Sequence, residues 1–216
     1  MARGSQPNAL LEATWWAEGY KYVAGVDEAG RGALLGPVVA AAVVFPPGLP
    51  SEALPGLKDS KCLSPPEREA VYRLICERAL AIGLGIVGSS TVDRLGIGKA
   101  TYQAMRKAVQ RLQCPVELVV IDGRGILLPG FRTCACVDAD AKVLTVAAAS
   151  IVAKVTRDRL LDRLAVRFPS YGLEQNKGYG TSEHLAALAA LGPTPLHRRT
   201  FAPLVQLSPG SARTPH

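Results

Sequence analysis

The sequence predicts an α/β protein: a central mixed β-sheet flanked by helices, with a helical extension at its C-terminal end. Three observations carry this. Short β-branched apolar runs recur at residues 20–27, 37–45, 82–89, 116–121 and 131–137. Longer segments with helix start and stop signals fall between and after them. The order is two strands, helix, strand, helix, two strands, helix, then more helix, which suits a mixed sheet opening on an antiparallel hairpin.

Residues 1–20 read as a lead-in, with a short helix over 9–18 carrying Trp15 and Trp16 onto the body. The strand at 20–27 ends in Asp27 and Glu28, and its hairpin partner starts after Pro37. A Pro/Gly-rich loop covers 46–56. Ser64, followed by Pro65, Pro66 and Glu67, spells a helix N-terminus with a capping box, and that helix is expected to reach about residue 81. After the strand at 82–89, Ser90 or Thr91 caps a helical stretch broken near Gly96 and Gly98 and running to about residue 112. The run 116–121 is a buried strand stopped by Asp122 and Gly123; 125–130 is loop and 131–137 a short strand. Asp140 is placed as the N-cap of a long helix over 141–168. A glycine-rich loop over 176–181 precedes a helix over 182–191 that ends at Gly192 and Pro193. Residues 21–208 form the main domain, and 209–216 an expected disordered tail.

The 216 residues suffice for one domain with a sizeable core, 48% of them being apolar. No apolar run approaches the roughly 18 residues of a membrane span, and no secretory signal opens the chain. A cytoplasmic monomer that does not engage membranes is expected. A net charge of +7 favours a polyanionic partner. The five cysteines (Cys62, Cys76, Cys114, Cys134, Cys136) contain no C-x-x-C pair and read as buried reduced thiols.

The chemistry concentrates around VAGVDEAGRGALLGPVVAAAVV, residues 23–44. Two neighbouring carboxylates against an apolar run repel and are costly to bury unless a cation joins them. The turn of Gly30, Arg31, Gly32 and Gly36 offers backbone amides to a phosphate. Asp122 and Asp140 add acids at a strand end and a helix start. Each alone reads as an ordinary turn or cap residue. Together, carboxylates from separate elements can hold hard divalent ions, Mg²⁺ or Mn²⁺, for phosphodiester chemistry: one ion activates water and a second steadies the leaving oxygen. Ser150, Lys154 and Arg157 fall on one helix face, Lys61 sits beside Ser60 before a helix, and Tyr179 stands between glycines in NKGYGTSEH. Without further context these last three features read as a solvated basic face, a capping turn and loop packing.

The strings GVDEAGRG, GPVVAAAVV, DSKCLSP, VVIDG, SIVAKVTRD and NKGYG, in this order, resemble bacterial type-2 ribonuclease H, the ribonuclease HII family, over roughly residues 22–201. The resemblance implies a ribonuclease H-like fold and an endoribonuclease that acts on RNA–DNA hybrids and on duplex DNA containing ribonucleotides, cutting 5′ of a single embedded ribonucleotide. It implies Asp27, Glu28, Asp122 and Asp140 as catalytic metal ligands, with Asp138 the rival for the fourth place. Lys61, Ser150, Lys154 and Arg157 become substrate contacts. Gly30, Arg31 and Gly32 would read a ribose 2′-hydroxyl, with Tyr179 stacking on the next sugar. Asp158 is expected to be a surface partner, and His184 and His197 structural.

Two motifs mislead. The glycines at 83, 85 and 88 spell a dinucleotide fingerprint but lie inside a strand, and Gly96, Gly98 and Lys99 lack the rest of a P-loop. A ribonuclease HIII-like hybrid nuclease is the nearest alternative, although the Gly-Arg-Gly turn is intact and the lead-in is too short for that family's extra N-terminal domain. A non-catalytic nucleic-acid-binding module is the other, and the presence of all four acids argues against it.

Overall fold

The computed structural model describes residues 7–58, 60–122 and 127–207. Its centre is a five-stranded sheet in the order β3-β2-β1-β4-β5. β1 (Val23–Ala29) pairs antiparallel with β2 (Val38–Val44), which pairs antiparallel with β3 (Ala81–Val87). On its other side β1 runs parallel to β4 (Leu118–Asp122), which runs parallel to β5 (Thr133–Cys136). The sheet is mixed, with the expected hairpin at its start. Among the described residues no helix is long and apolar enough to cross a membrane.

All seven residues of β2 are buried because helices cover both faces of the sheet. On one face Ala24, Val26, Ala40 and Ala42 pack under α4 (Ile97–Gln110), which follows α3 (Ser89–Leu95). On the other, Ala29, Ala41 and Val43 pack under α6 (Leu144–Arg167) and α2 (Pro65–Arg78). The approach is close: a Cβ on Gly25 would lie 2.2 Å from the main chain of Thr145, and one on Gly85 1.8 Å from the Ala104 carbonyl oxygen. Gly83 and Gly85 of the false dinucleotide fingerprint therefore serve helix–sheet packing, whereas Gly88 has no such neighbour. Beyond α6 the chain adds α7 (Leu173–Asn176), α8 (Ser182–Leu191) and α9 (Leu204–Leu207), the expected helical extension.

Several boundaries differ from expectation. β1 runs two residues further, so Asp27 and Glu28 lie inside it, pairing with Ala41 and Ala40. β4 starts two residues later and includes Asp122. The capping box of Ser64 and Glu67 is present, but α2 ends at Arg78 because the chain turns extended at Ala79 to enter β3. α3 begins at Ser89 after Gly88, so neither Ser90 nor Thr91 caps it. Asp140 does not cap the long helix. A short α5 (Ala139–Lys142) comes first, preceded by Asp138 in a left-handed conformation, and the chain then turns extended at Val143.

That break has a partner far away in sequence. Asn8 bridges to Val143, and the α1 helix (Leu10–Ala17) sets Glu12 against the start of α6. The Glu12 carboxylate accepts from the Thr145 amide at 2.8 Å and the Thr145 hydroxyl at 3.0 Å. Trp15 and Trp16 pack on the core beside Val23 and Val146, as expected of the lead-in. The expected tail at 209–216, Asp59, and part of the loop at 125–130 lie outside the described residues.

Candidate active site

β1 and β4 run in parallel, and ligands of such sheets bind beyond the carboxyl ends of the strands. Asp27, next after the Val26–Ile121 pair, faces Asp122 at that edge. Alternation along β1 turns Asp27 toward α6, on the side of Gly25 and Ala29, and Glu28 toward the opposite face. Both still line one cavity of about 270 Å³, together with Asp122, Asp140, Gly30, Arg31, Gly32, Ser60, Lys61, Ser150, Lys154 and Tyr179.

The acids differ in environment. Asp27 is buried, and burial first, then the charge of Glu28 and more weakly of Asp122, holds its carboxyl well above the usual range; a hydrogen bond from Ser150 opposes this. Glu28 pairs with Arg31 at 3.1 Å. Asp122 accepts from the Ala139 amide at 2.8 Å, which ties the end of β4 to α5. Asp140 lies 3.8 Å from the Lys61 ammonium. Asp138, by contrast, is exposed and pairs with Lys142 at 3.6 Å, outside the cavity. Among the described residues no three acids already close around an ion position, since each is held by its own local partner. The donor set suits a divalent metal: the hard carboxylates of Glu28, Asp122 and Asp140 line the same cavity as Asp27, a buried acid disfavoured by its neighbours, whose charge a cation would offset.

Ser150 and Lys154 reach the cavity from α6. The Ser150 hydroxyl lies 3.0 Å from that of Ser60, which anchors the Lys61 segment. The Lys154 ammonium pairs with Asp158 at 2.7 Å, and burial lowers its pKa. Asp158 also meets Arg68 at 3.6 Å, so it is a charge partner as expected, but a largely buried one rather than one on the surface.

Arg157 departs from expectation. It is fully buried, and its guanidinium donates to the carbonyls of Pro37, Lys177 and Leu35 at 2.9–3.1 Å, so it has no reach into the cavity. Its charged group lies 5.2 Å from the centre of the Tyr179 ring. Arg157 thus braces the turn after β1 against the tyrosine loop. Arg198, which the sequence did not single out, does the same from the other side. It too is fully buried, and donates to Gly36 twice and to the Arg31 carbonyl at 2.8 Å. The doublet after His197 was its only sequence trace, and side-chain bonds to distant carbonyls leave no periodicity to read. Ser60 is likewise a cavity residue that the sequence showed only as a neighbour of Lys61.

An α/β sheet of this order, with acids gathered at the carboxyl edge of its parallel strands, has the ribonuclease H-like fold. The comparisons with known proteins narrow the class. The Ribonuclease HII family model matches residues 24–204. Ribonuclease HII of Synechococcus sp. is 47% identical over 205 residues, covering 95% of this chain and 92% of that protein. Ribonuclease HII of Geobacter metallireducens is 48% identical over 183 residues, covering 85% and 84%. Among solved structures, ribonuclease H2 from Pyrococcus horikoshii superposes with a TM-score of 0.74 at 26% identity, covering 86% of this chain and 96% of that one. A Bst-RNase HIII structure in complex with Mn²⁺ shares the fold, with a TM-score of 0.67 at 19% identity, over 87% of this chain and 69% of that one. The chain belongs to the ribonuclease HII family and is a ribonuclease H endonuclease.

Proposed function

We propose that this chain hydrolyses the RNA strand of RNA–DNA hybrids and also cuts on the 5′ side of single ribonucleotides embedded in duplex DNA. One observation carries the reading: four acids and the Gly30–Arg31–Gly32 turn share a single cavity, with Tyr179 on its wall. Asp27, Glu28, Asp122 and Asp140 would hold two divalent ions, Mn²⁺ or Mg²⁺. Such ions supply Lewis acidity that makes water a nucleophile near neutral pH and offsets charge on the leaving oxygen.

The protein's own groups orient the substrate. The amides of residues 30–32 bond the ribose 2′-hydroxyl, which marks RNA against DNA. The Tyr179 ring stacks on the adjoining sugar. Lys61 and Lys154 stand on either side of the acids to contact phosphates. Ser150 donates to Asp27 and keeps that carboxyl aimed at the cavity. The Mn²⁺ complex of Bst-RNase HIII is consistent with divalent-metal hydrolysis on this fold.

Incubation with a long RNA–DNA hybrid in Mg²⁺, in Mn²⁺ and in chelator, with end-group analysis of the products, tests the reading. The expected products carry 3′-hydroxyl and 5′-phosphate ends and form only with metal. Metal-independent binding without cleavage would leave a non-catalytic module instead.

A further inference from the structure

Tyr179 is held at its main chain by one of two paired buried histidines that belong to the helical extension. His184, on α8, and His197, beyond it, are both buried, and their Nε2 atoms lie 3.2 Å apart. His184 Nδ1 lies 2.8 Å from the Tyr179 carbonyl oxygen. His197 Nδ1 lies 2.9 Å from the Thr194 amide.

The two ends fix the direction of the chain. A backbone amide can only donate, so His197 Nδ1 carries no proton. A carbonyl can only accept, so His184 Nδ1 carries one. With both rings neutral, His197 Nε2–H donates to the bare Nε2 of His184. Burial, the neighbouring His184 and Arg199 together push His197 down to about 4, which keeps it neutral at working pH. The Tyr171 ring covers the pair, with centroids 5.3 Å from His197 and 6.3 Å from His184. The nitrogens of the pair thus have fixed donor and acceptor roles, His197 Nδ1 being the shared acceptor of the Thr194 amide and the Thr194 hydroxyl, each at 2.9 Å.

We infer that His184 is a positioning residue for ribonucleotide selection: its Nδ1–H bond sets where Tyr179 stands over the cavity, and His197 acts through it by fixing the tautomer that makes that bond. The Tyr179 carbonyl also accepts from the Thr181 amide at 2.9 Å, but that bond is local to the loop. The bond from His184 is the one that ties the tyrosine to α8 and, through His197, to the segment whose Arg198 holds the Arg31 carbonyl. Both walls of the cavity mouth are therefore registered by neighbouring residues of one segment. The inference rests on the proposed reading of Tyr179 as a stacking residue.

The test is the ratio of kcat/KM on duplex DNA with one ribonucleotide to that on a long hybrid. Two substitutions of His184 separate its two bonds. Asn places an amide nitrogen where Nδ1 stands and keeps the bond to Tyr179. Gln can place its amide oxygen where Nε2 stands, accept there from His197 Nε2–H, and keep only the link to His197. His184→Asn is expected to retain the wild-type ratio, and His184→Gln to lower it about fivefold, the worth of one such bond. Tyr179→Ala is measured beside them. If it lowers the ratio while the two His184 variants behave alike, the inference is overturned and the reading of Tyr179 stands. If it leaves the ratio unchanged, the stacking reading falls and the inference with it. Should His184→Gln fail to fold, nitrogen-15 NMR of the wild-type imidazoles decides. The chain has three histidines, and the expected tautomers are Nδ1–H for His184 and Nε2–H for His197; the reverse would overturn the inference.

Discussion

Asp27 shows in one side chain what the site costs the fold. Its carboxyl is held well above the ordinary range by burial and by Glu28. A folded-state pKa raised this way gives stability that is present below the ordinary carboxylate range and is lost as pH rises through the raised value. The metal-free protein is therefore penalised at neutral pH. Asp27→Asn should raise its melting temperature at pH 8 while lowering cleavage by about 10³-fold, the several kcal/mol that a metal ligand supports. A calorimetric scan without metal checks the first half, and a lower melting temperature would contradict it. Arg198 makes the opposite case: a buried cation whose partners are main-chain carbonyls. Lysine cannot reproduce its fork, so Arg198→Lys should cost about 1–3 kcal/mol in urea unfolding. Asp27 and Glu28 stood out in the sequence because Asp-Glu beside a buried run has no easy structural explanation, whereas Asp122 and Asp140 alone read as turn and cap residues. Arg157 was misread as a contact because its helix face was right while its depth was not; i, i+3 and i+4 spacing says nothing about what lies three layers away.

At the scale of elements, the start of α6 is set by α1. Burial raises the Glu12 pKa, opposed by the hydrogen bonds from Thr145. The sign is as for Asp27: the contribution of Glu12 falls as pH rises above the ordinary carboxylate range. Glu12→Gln should flatten the melting-temperature profile between about pH 4 and 8 relative to wild type, and parallel profiles would contradict this. The helix–sheet contacts are tighter still. With 1.8 Å between a Cβ at Gly85 and the Ala104 oxygen, Gly85→Val must push α4 off the sheet. A loss of about 1–3 kcal/mol by urea unfolding is expected. Element order and type were legible from apolar runs and from signals such as the Ser64 capping box. The break at Val143 was not, because its cause is Asn8 and Glu12, more than a hundred residues away, and nothing local announces it. The same applies to Asp140, whose role as a helix cap was inferred from neighbours alone.

Over the whole molecule, the sheet and α5 supply the acids, and α6 with the helical extension supplies the frame for the turn and the tyrosine. β1, β4 and α5 carry Asp27, Glu28, Asp122 and Asp140, while Arg157, His184 and Arg198 brace the walls that we propose choose the substrate. The separation predicts that changes in the frame alter which substrate is cut, whereas changes in the acids alter whether any is cut. The most direct measurement is cleavage of duplex DNA bearing one ribonucleotide, resolved at single-nucleotide length, with Mn²⁺, Mg²⁺ or chelator, for wild type and Asp27→Asn. A metal-dependent cut immediately 5′ of the ribonucleotide, lost in Asp27→Asn, is the predicted result. A cut that persists in chelator, or that Asp27→Asn makes as fast as wild type, would contradict the assignment of the site.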